Sequence, residues 1–115
     1  MKPVVWMGDS LERMRRASPE IRSDAGYQLE LVQDGEMPTD FRPIPDVGNV
    51  VVEIRMHGVL EFRVFYLARF AEAVYVLHSF EKKTQATRLG DLELGRRRDR
   101  ALLEQRAKLY GGGTV

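Results

Sequence analysis

Apolar and polar residues alternate from Val50 to Met56 and again from Val59 to Ala68, and a third apolar, largely β-branched and aromatic run covers Ala73–Phe80. A period of two marks strands that lay one face on a core. His57-Gly58 makes a turn between the first two strands, and short links throughout imply an antiparallel meander. Upstream the period changes. Ile21, Ala25, Leu29 and Val32 recur at offsets of 4, 4 and 3, which is one face of a helix. Ser18 is its N-cap, Pro19 its first helical residue, and Asp34-Gly35 its end. Before it, Val4–Met7 predicts a short strand at the sheet edge. Asp9, with Glu12 three residues on, predicts a capping box for a short helix that carries Leu11 and Met14 and ends near Ser18. Residues 35–48 hold three prolines and two glycines, so they predict a loop, with Phe41 and Ile44 as anchors on the core. Leu89–Tyr110 predicts a last helix whose thin apolar face is Leu92, Leu102 and Leu109, weakened by Gly95. The order is βααβββα, an α+β fold in which a curved antiparallel sheet carries helices on one face. Residues 1–110 are expected to form one domain and 111–115 a frayed tail.

Composition narrows the classes. The 115 residues are 43% apolar and include no cysteine, which excludes a disulfide scaffold, a thiolate metal site and a thiol nucleophile. No apolar run is longer than the five residues of Ala73–Leu77, far short of the roughly 20 residues that span a bilayer. The N-terminus lacks the pattern of a secretory signal, so the expected location is cytoplasmic, without membrane association. Net charge is +1, but it is unevenly spread. Residues 1–60 hold seven Lys/Arg against ten Asp/Glu, and residues 61–115 hold eleven against seven. Cations gathered in the second half suit an anionic partner. The run Arg96-Arg97-Arg98 with Arg100 reads more simply as the solvated face of a helix.

On the middle strand Glu61, Arg63, Phe65 and Leu67 point one way, and Leu60, Phe62, Val64 and Tyr66 the other. Arg63 is therefore a cation amid apolar residues, and a buried unpaired charge is costly. Either it pairs with Glu53 or Glu61, or it projects from the open face of the sheet and binds an anion. Arg55 poses the same question on the neighbouring strand. The third strand runs into Phe80-Glu81-Lys82-Lys83-Thr84-Gln85-Ala86-Thr87, where lysines supply charge, Gln85 and Thr87 hydrogen bonds, and Phe80 a stacking surface suited to RNA. His57 reads as a solvated turn residue and His78 as a satisfied core histidine. Two histidines without matching carboxylate spacing do not make a metal site.

The blocks Val52-Glu53-Ile54-Arg55, Phe62-Arg63-Val64-Phe65-Tyr66 and Val76-Leu77-His78-Ser79-Phe80-Glu81-Lys82-Lys83-Thr84-Gln85 resemble the phage-derived and HigB-type branch of the RelE superfamily. The resemblance is concentrated in residues 53–87. It departs at Arg88, where the family usually has proline. It implies the toxin of a type II toxin–antitoxin pair, an endoribonuclease that cuts mRNA on the ribosome without metal or other cofactor. The implied partners are a small helix-turn-helix antitoxin, mRNA and the ribosome. Matching positions make Arg63, Lys82 and Lys83 the catalytic candidates. Arg55 joins Phe80, Gln85 and Thr87 as RNA-binding candidates.

RNA carries its own nucleophile, the 2′-hydroxyl. Cleavage then needs a base, cations for the charge developing on phosphorus, and an acid for the leaving 5′-oxygen. An arginine stays protonated, so Arg63 suits charge stabilisation, and its replacement by alanine is expected to remove activity from a folded protein. A neighbouring cation favours a lysine's neutral form, which makes either Lys82 or Lys83 a candidate base. Tyr66 points away from Arg63 and is left out. Two competing expectations are an inert protein that binds only an antitoxin or phage partner, and a DNA-binding regulator. The absence of a helix-turn-helix pattern in the sequence argues against the regulator.

Overall fold

The computed structural model describes residues 1–83 and 89–110. The elements run β1 (Val4–Trp6), α1 (Ser10–Arg15), α2 (Pro19–Gln33), β2 (Phe41–Pro43), β3 (Val52–Met56), β4 (Glu61–Leu67), β5 (Val74–Lys82) and α3 (Leu89–Tyr110). Five strands form one sheet in the order β1-β5-β4-β3-β2. The α+β class and the β3-β4-β5 antiparallel meander are as the alternation predicts. Two features differ. The sheet is mixed, because β1 lies parallel to β5. The proline-rich loop also contributes β2, paired in register with β3 as Phe41↔Ile54, Arg42↔Glu53 and Pro43↔Val52. Pro43 lacks an N–H, which an edge strand tolerates.

The α2 stripe behaves as its spacing requires. Ile21, Ala25, Leu29 and Val32 are buried, and Ser18 accepts the Ile21 backbone N–H at 3.3 Å. They pack with Met14, Ile54, Met56, Phe62, Val64, Tyr66, Val74 and Val76 on one face of the sheet. The α1 capping box does not form. No side chain caps the helix, because the Asp9 carboxylate is taken by Arg13 and by Arg98 of α3, each at 2.8 Å. Those two guanidinium bonds, Arg13 first, hold Asp9 far below the ordinary carboxylate range.

The opposite face of the sheet is not bare. Phe65, Leu67, Leu77 and Phe80 pack there against Leu102 of α3 and against Ile44, Val47 and Val51 of the loop after β2. The expectation of helices on one face alone fails because the apolar stripe of α3 is thin but sufficient. Leu102 is buried and Leu92 half-buried, whereas Leu109 is exposed. Of the loop anchors, Ile44 is buried and Phe41 is exposed. Arg98 is not a solvated residue either. It donates to the Leu77 carbonyl at 2.9 Å, where the β4–β5 register slips and leaves Leu77 without a cross-strand partner.

Gly95 explains how α3 lies so close. A Cβ there would come within 2.9 Å of both Phe65 and Val47. Gly95→Ala should gain about 1 kcal/mol of helix propensity and lose about 1–3 kcal/mol to overpacking. A net loss of about 1 kcal/mol is expected in urea unfolding. A stabilised variant would mean that α3 can lift away from the sheet without cost.

Candidate functional site

Arg55 and Arg63 stand opposite one another in register across β3 and β4, with Phe80 next on β5. Like charges directly opposite destabilise a strand pair unless counter-charges lie close. Here they do. Arg63 donates from Nη2 to Glu61 Oε1 at 3.1 Å and from Nη1 to the Phe62 carbonyl at 3.1 Å. Its Nε is 4.0 Å from Glu53 Oε1, which also lies 3.4 Å from Arg42 Nε. Arg63 is only 2% exposed, so it does not project freely from an open face. The pairing with Glu61 and Glu53 is the arrangement found. Even so, the Nε atoms of both Arg63 and half-buried Arg55 are enclosed without a hydrogen-bond partner among the described residues.

Beside this pair sits a group that periodicity alone did not single out. His57 is exposed in the turn, as expected, but its ring is engaged on both sides: Nε2 meets Asp40 Oδ2 at 2.5 Å and Nδ1 meets Glu61 Oε1 at 2.8 Å. With a carboxylate on each ring nitrogen, the imidazolium donates both ways. The bonds to Asp40 and then Glu61 raise the His57 pKa above 6.5, and His57 in turn holds both carboxyls below their ordinary values. A signal existed in the four-residue spacing of His57 and Glu61 across a tight turn. Asp40 came from a segment that looked featureless.

The sign of the resulting pH dependence follows. A raised histidine pKa gives stability that is complete below the unfolded value near 6.5 and is lost as pH rises through the folded value. The lowered Asp40 and Glu61 pKa values give stability present above their unfolded values of 3.8 and 4.5, lost as pH falls through the folded ones. His57→Gln should therefore melt below the wild type by the widest margin at a pH between 4.5 and 6.5, converging with it on the alkaline side. A gap constant with pH would contradict the ion-bonded imidazolium.

The two lysines part company. Lys82 is in register with Glu61 and so shares the Arg63 face. Lys83 follows on the opposite side, 3.9 Å from Glu81, and borders a pocket of about 240 Å³ with Arg13, Arg16, Ala17, Phe62 and Ser79. Phe80 offers no open stacking surface. It is 3% exposed, with its ring stacked on His78 at 4.8 Å and edge-on to Phe65 at 5.1 Å. Gln85 and Thr87 lie outside the described residues. His78 is a core histidine, hydrogen-bonded to Asp91 at 2.8 Å, its pKa lowered by burial. The slip at Leu77 puts it on the face opposite Val76. Tyr66 is enclosed on the α2 face with its pKa pushed up to about 12 by burial, which fits its exclusion.

The fold and this charged strand cluster define a small α+β protein with a basic sheet end. Residues 12–100 match the family described as phage derived protein Gp49-like (DUF891). The chain belongs to that family, which is RelE/toxin-like. No curated protein matches it. No helix among the described residues is long and apolar enough to cross a membrane.

Proposed function

We propose that this protein is the HigB-type toxin of a type II toxin–antitoxin system, a metal-independent endoribonuclease that cuts mRNA on the ribosome. The observation that carries the reading is the in-register Arg55–Arg63 pair with unspent Nε donors, flanked by Lys82. A sheet with only structural demands gains nothing from opposed arginines. In this mechanism Arg55 and Lys82 contact the scissile phosphate. Lys82 removes the 2′-hydroxyl proton, the oxygen attacks phosphorus, and the bond to the 5′-oxygen breaks. His57, held protonated between Asp40 and Glu61, delivers a proton to that leaving oxygen. Arg63 is a positioning residue: it fixes Glu61, which fixes His57, and adds positive potential behind the phosphate.

The products are a 2′,3′-cyclic phosphate and a 5′-hydroxyl, and the reaction should persist in EDTA on a substrate that needs no magnesium to fold. Products ending in 3′-hydroxyl would contradict 2′-hydroxyl attack and indicate an activated water. One observation favours a second reading, an inert relative that only binds an antitoxin or phage partner. Arg63 is enclosed and already committed to Glu61. Induced expression separates the two, since growth arrest with cut transcripts belongs to the first and harmless accumulation to the second. A cognate helix-turn-helix antitoxin, encoded beside the toxin and acting in the cytoplasm, completes the proposal.

A further inference from the structure

The pocket between α1 and the end of β5 lies on the other face of the sheet from Arg63 and is not needed for the cleavage chemistry. Arg13, Arg16 and Lys83 border it, against Glu81 and Asp91, so cations are in excess. Part of that opposing charge is engaged: Glu81 lies 3.9 Å from Lys83, and Asp91 Oδ1 meets His78 Nε2 at 2.8 Å. Arg13 uses Nε on Asp9 and Arg16 uses Nη2 on Glu12, which leaves each guanidinium further N–H donors. An independent feature points the same way. Ser79, 0% exposed, also borders the pocket, and its hydroxyl has no hydrogen-bond partner among the described residues. A buried hydroxyl left unpaired costs stability, and apolar residues of similar size were available to evolution. Arginine, lysine and hydroxyl donors around a small pocket suit a tetrahedral oxyanion.

We infer that this pocket is a phosphate subsite, which grips a phosphodiester of the RNA chain one side of the sheet away from the bond being cut. The inference rests on the RNA-cleaving reading for its ligand, and on the pocket alone for its chemistry. Lys82 and Lys83 are consecutive but face opposite ways, so a strand crossing the end of β5 touches the cleavage cluster with one and the subsite with the other.

The test is binding of a 2′-O-methyl oligoribonucleotide, which cannot be cut by 2′-hydroxyl attack, and of inorganic phosphate, by the intact protein. Ser79→Ala is the informative variant, because removing a hydroxyl without a partner should leave the melting temperature unchanged or raised. The expected result is about tenfold weaker oligonucleotide binding for Ser79→Ala, the scale of one hydrogen bond to a charged group. A comparable loss is expected for Arg16→Ala, with phosphate competing for the wild type. Wild-type affinity in both variants overturns the subsite, whether or not the protein cleaves RNA. Weakened binding in a protein that never cleaves any transcript keeps the subsite and removes only the nuclease reading. Phosphate binding that these variants weaken, with no oligonucleotide binding at all, overturns the RNA ligand.

Discussion

Arg63→Ala is expected to destabilise the protein by about 3 kcal/mol, near the lower end of what removing one partner of a buried ion pair costs. The loss falls on Glu53, whose side chain is 2% exposed and whose Oε2 already has no hydrogen-bond partner among the described residues. Arg42, itself more than half exposed, is the remaining cation beside it. Glu61 is far better solvated and adds little to the cost. The double variant Arg63→Met with Glu53→Gln should recover most of the loss, because the charge is removed together with its counter-charge. Urea unfolding of the three proteins reads this directly. A loss below about 1 kcal/mol for Arg63→Ala would mean that the arginine is free to leave its pocket and meet RNA itself. This reverses the expectation drawn from the sequence, where Arg63 on an open face could be removed without harm to the fold.

Lys82→Ala should leave stability nearly unchanged and lower the cleavage rate about a hundredfold or more, the scale of losing the general base. The side chain is half-buried at the end of β5, in register with Glu61. Lys83→Ala should act differently, weakening binding of the RNA chain while leaving the rate at saturation close to wild type. Equal losses of rate in both variants would contradict the division of the two lysines between the faces.

Much of this arrangement was legible in the sequence. The α2 stripe, the meander and the anomaly of Arg63 all follow from spacing, since one misplaced charge in an alternating strand is conspicuous. The division of Lys82 from Lys83 escaped because the apolar run stops at Phe80, whereas the strand itself continues to Lys82. Hydrogen bonding with β4 carries it two residues past its last apolar side chain. β2 was hidden by Pro43 and by Pro38 and Pro45 around it, which argue against a strand unless it lies at an edge. The covering of the second face was hidden because one buried leucine and a close-packed glycine do the work of a longer apolar stripe. The His57–Asp40 contact joins residues 17 positions apart through an irregular segment, and no periodicity reports such a contact. The enclosed Phe80 is the plainest correction: an aromatic beside lysines looks like a stacking platform until the neighbouring Phe65 and His78 are seen to occupy its ring.

The central claim, cleavage of translated mRNA by 2′-hydroxyl attack, is tested most directly by mapping transcript ends after induced expression of the wild type and Lys82→Ala at equal protein levels. The expected result is new 5′-hydroxyl ends within coding regions, matched by upstream fragments ending in cyclic or 3′-phosphate and nearly absent with Lys82→Ala. Intact transcripts in cells that accumulate the folded wild-type protein, or fragments ending in 3′-hydroxyl, would contradict it.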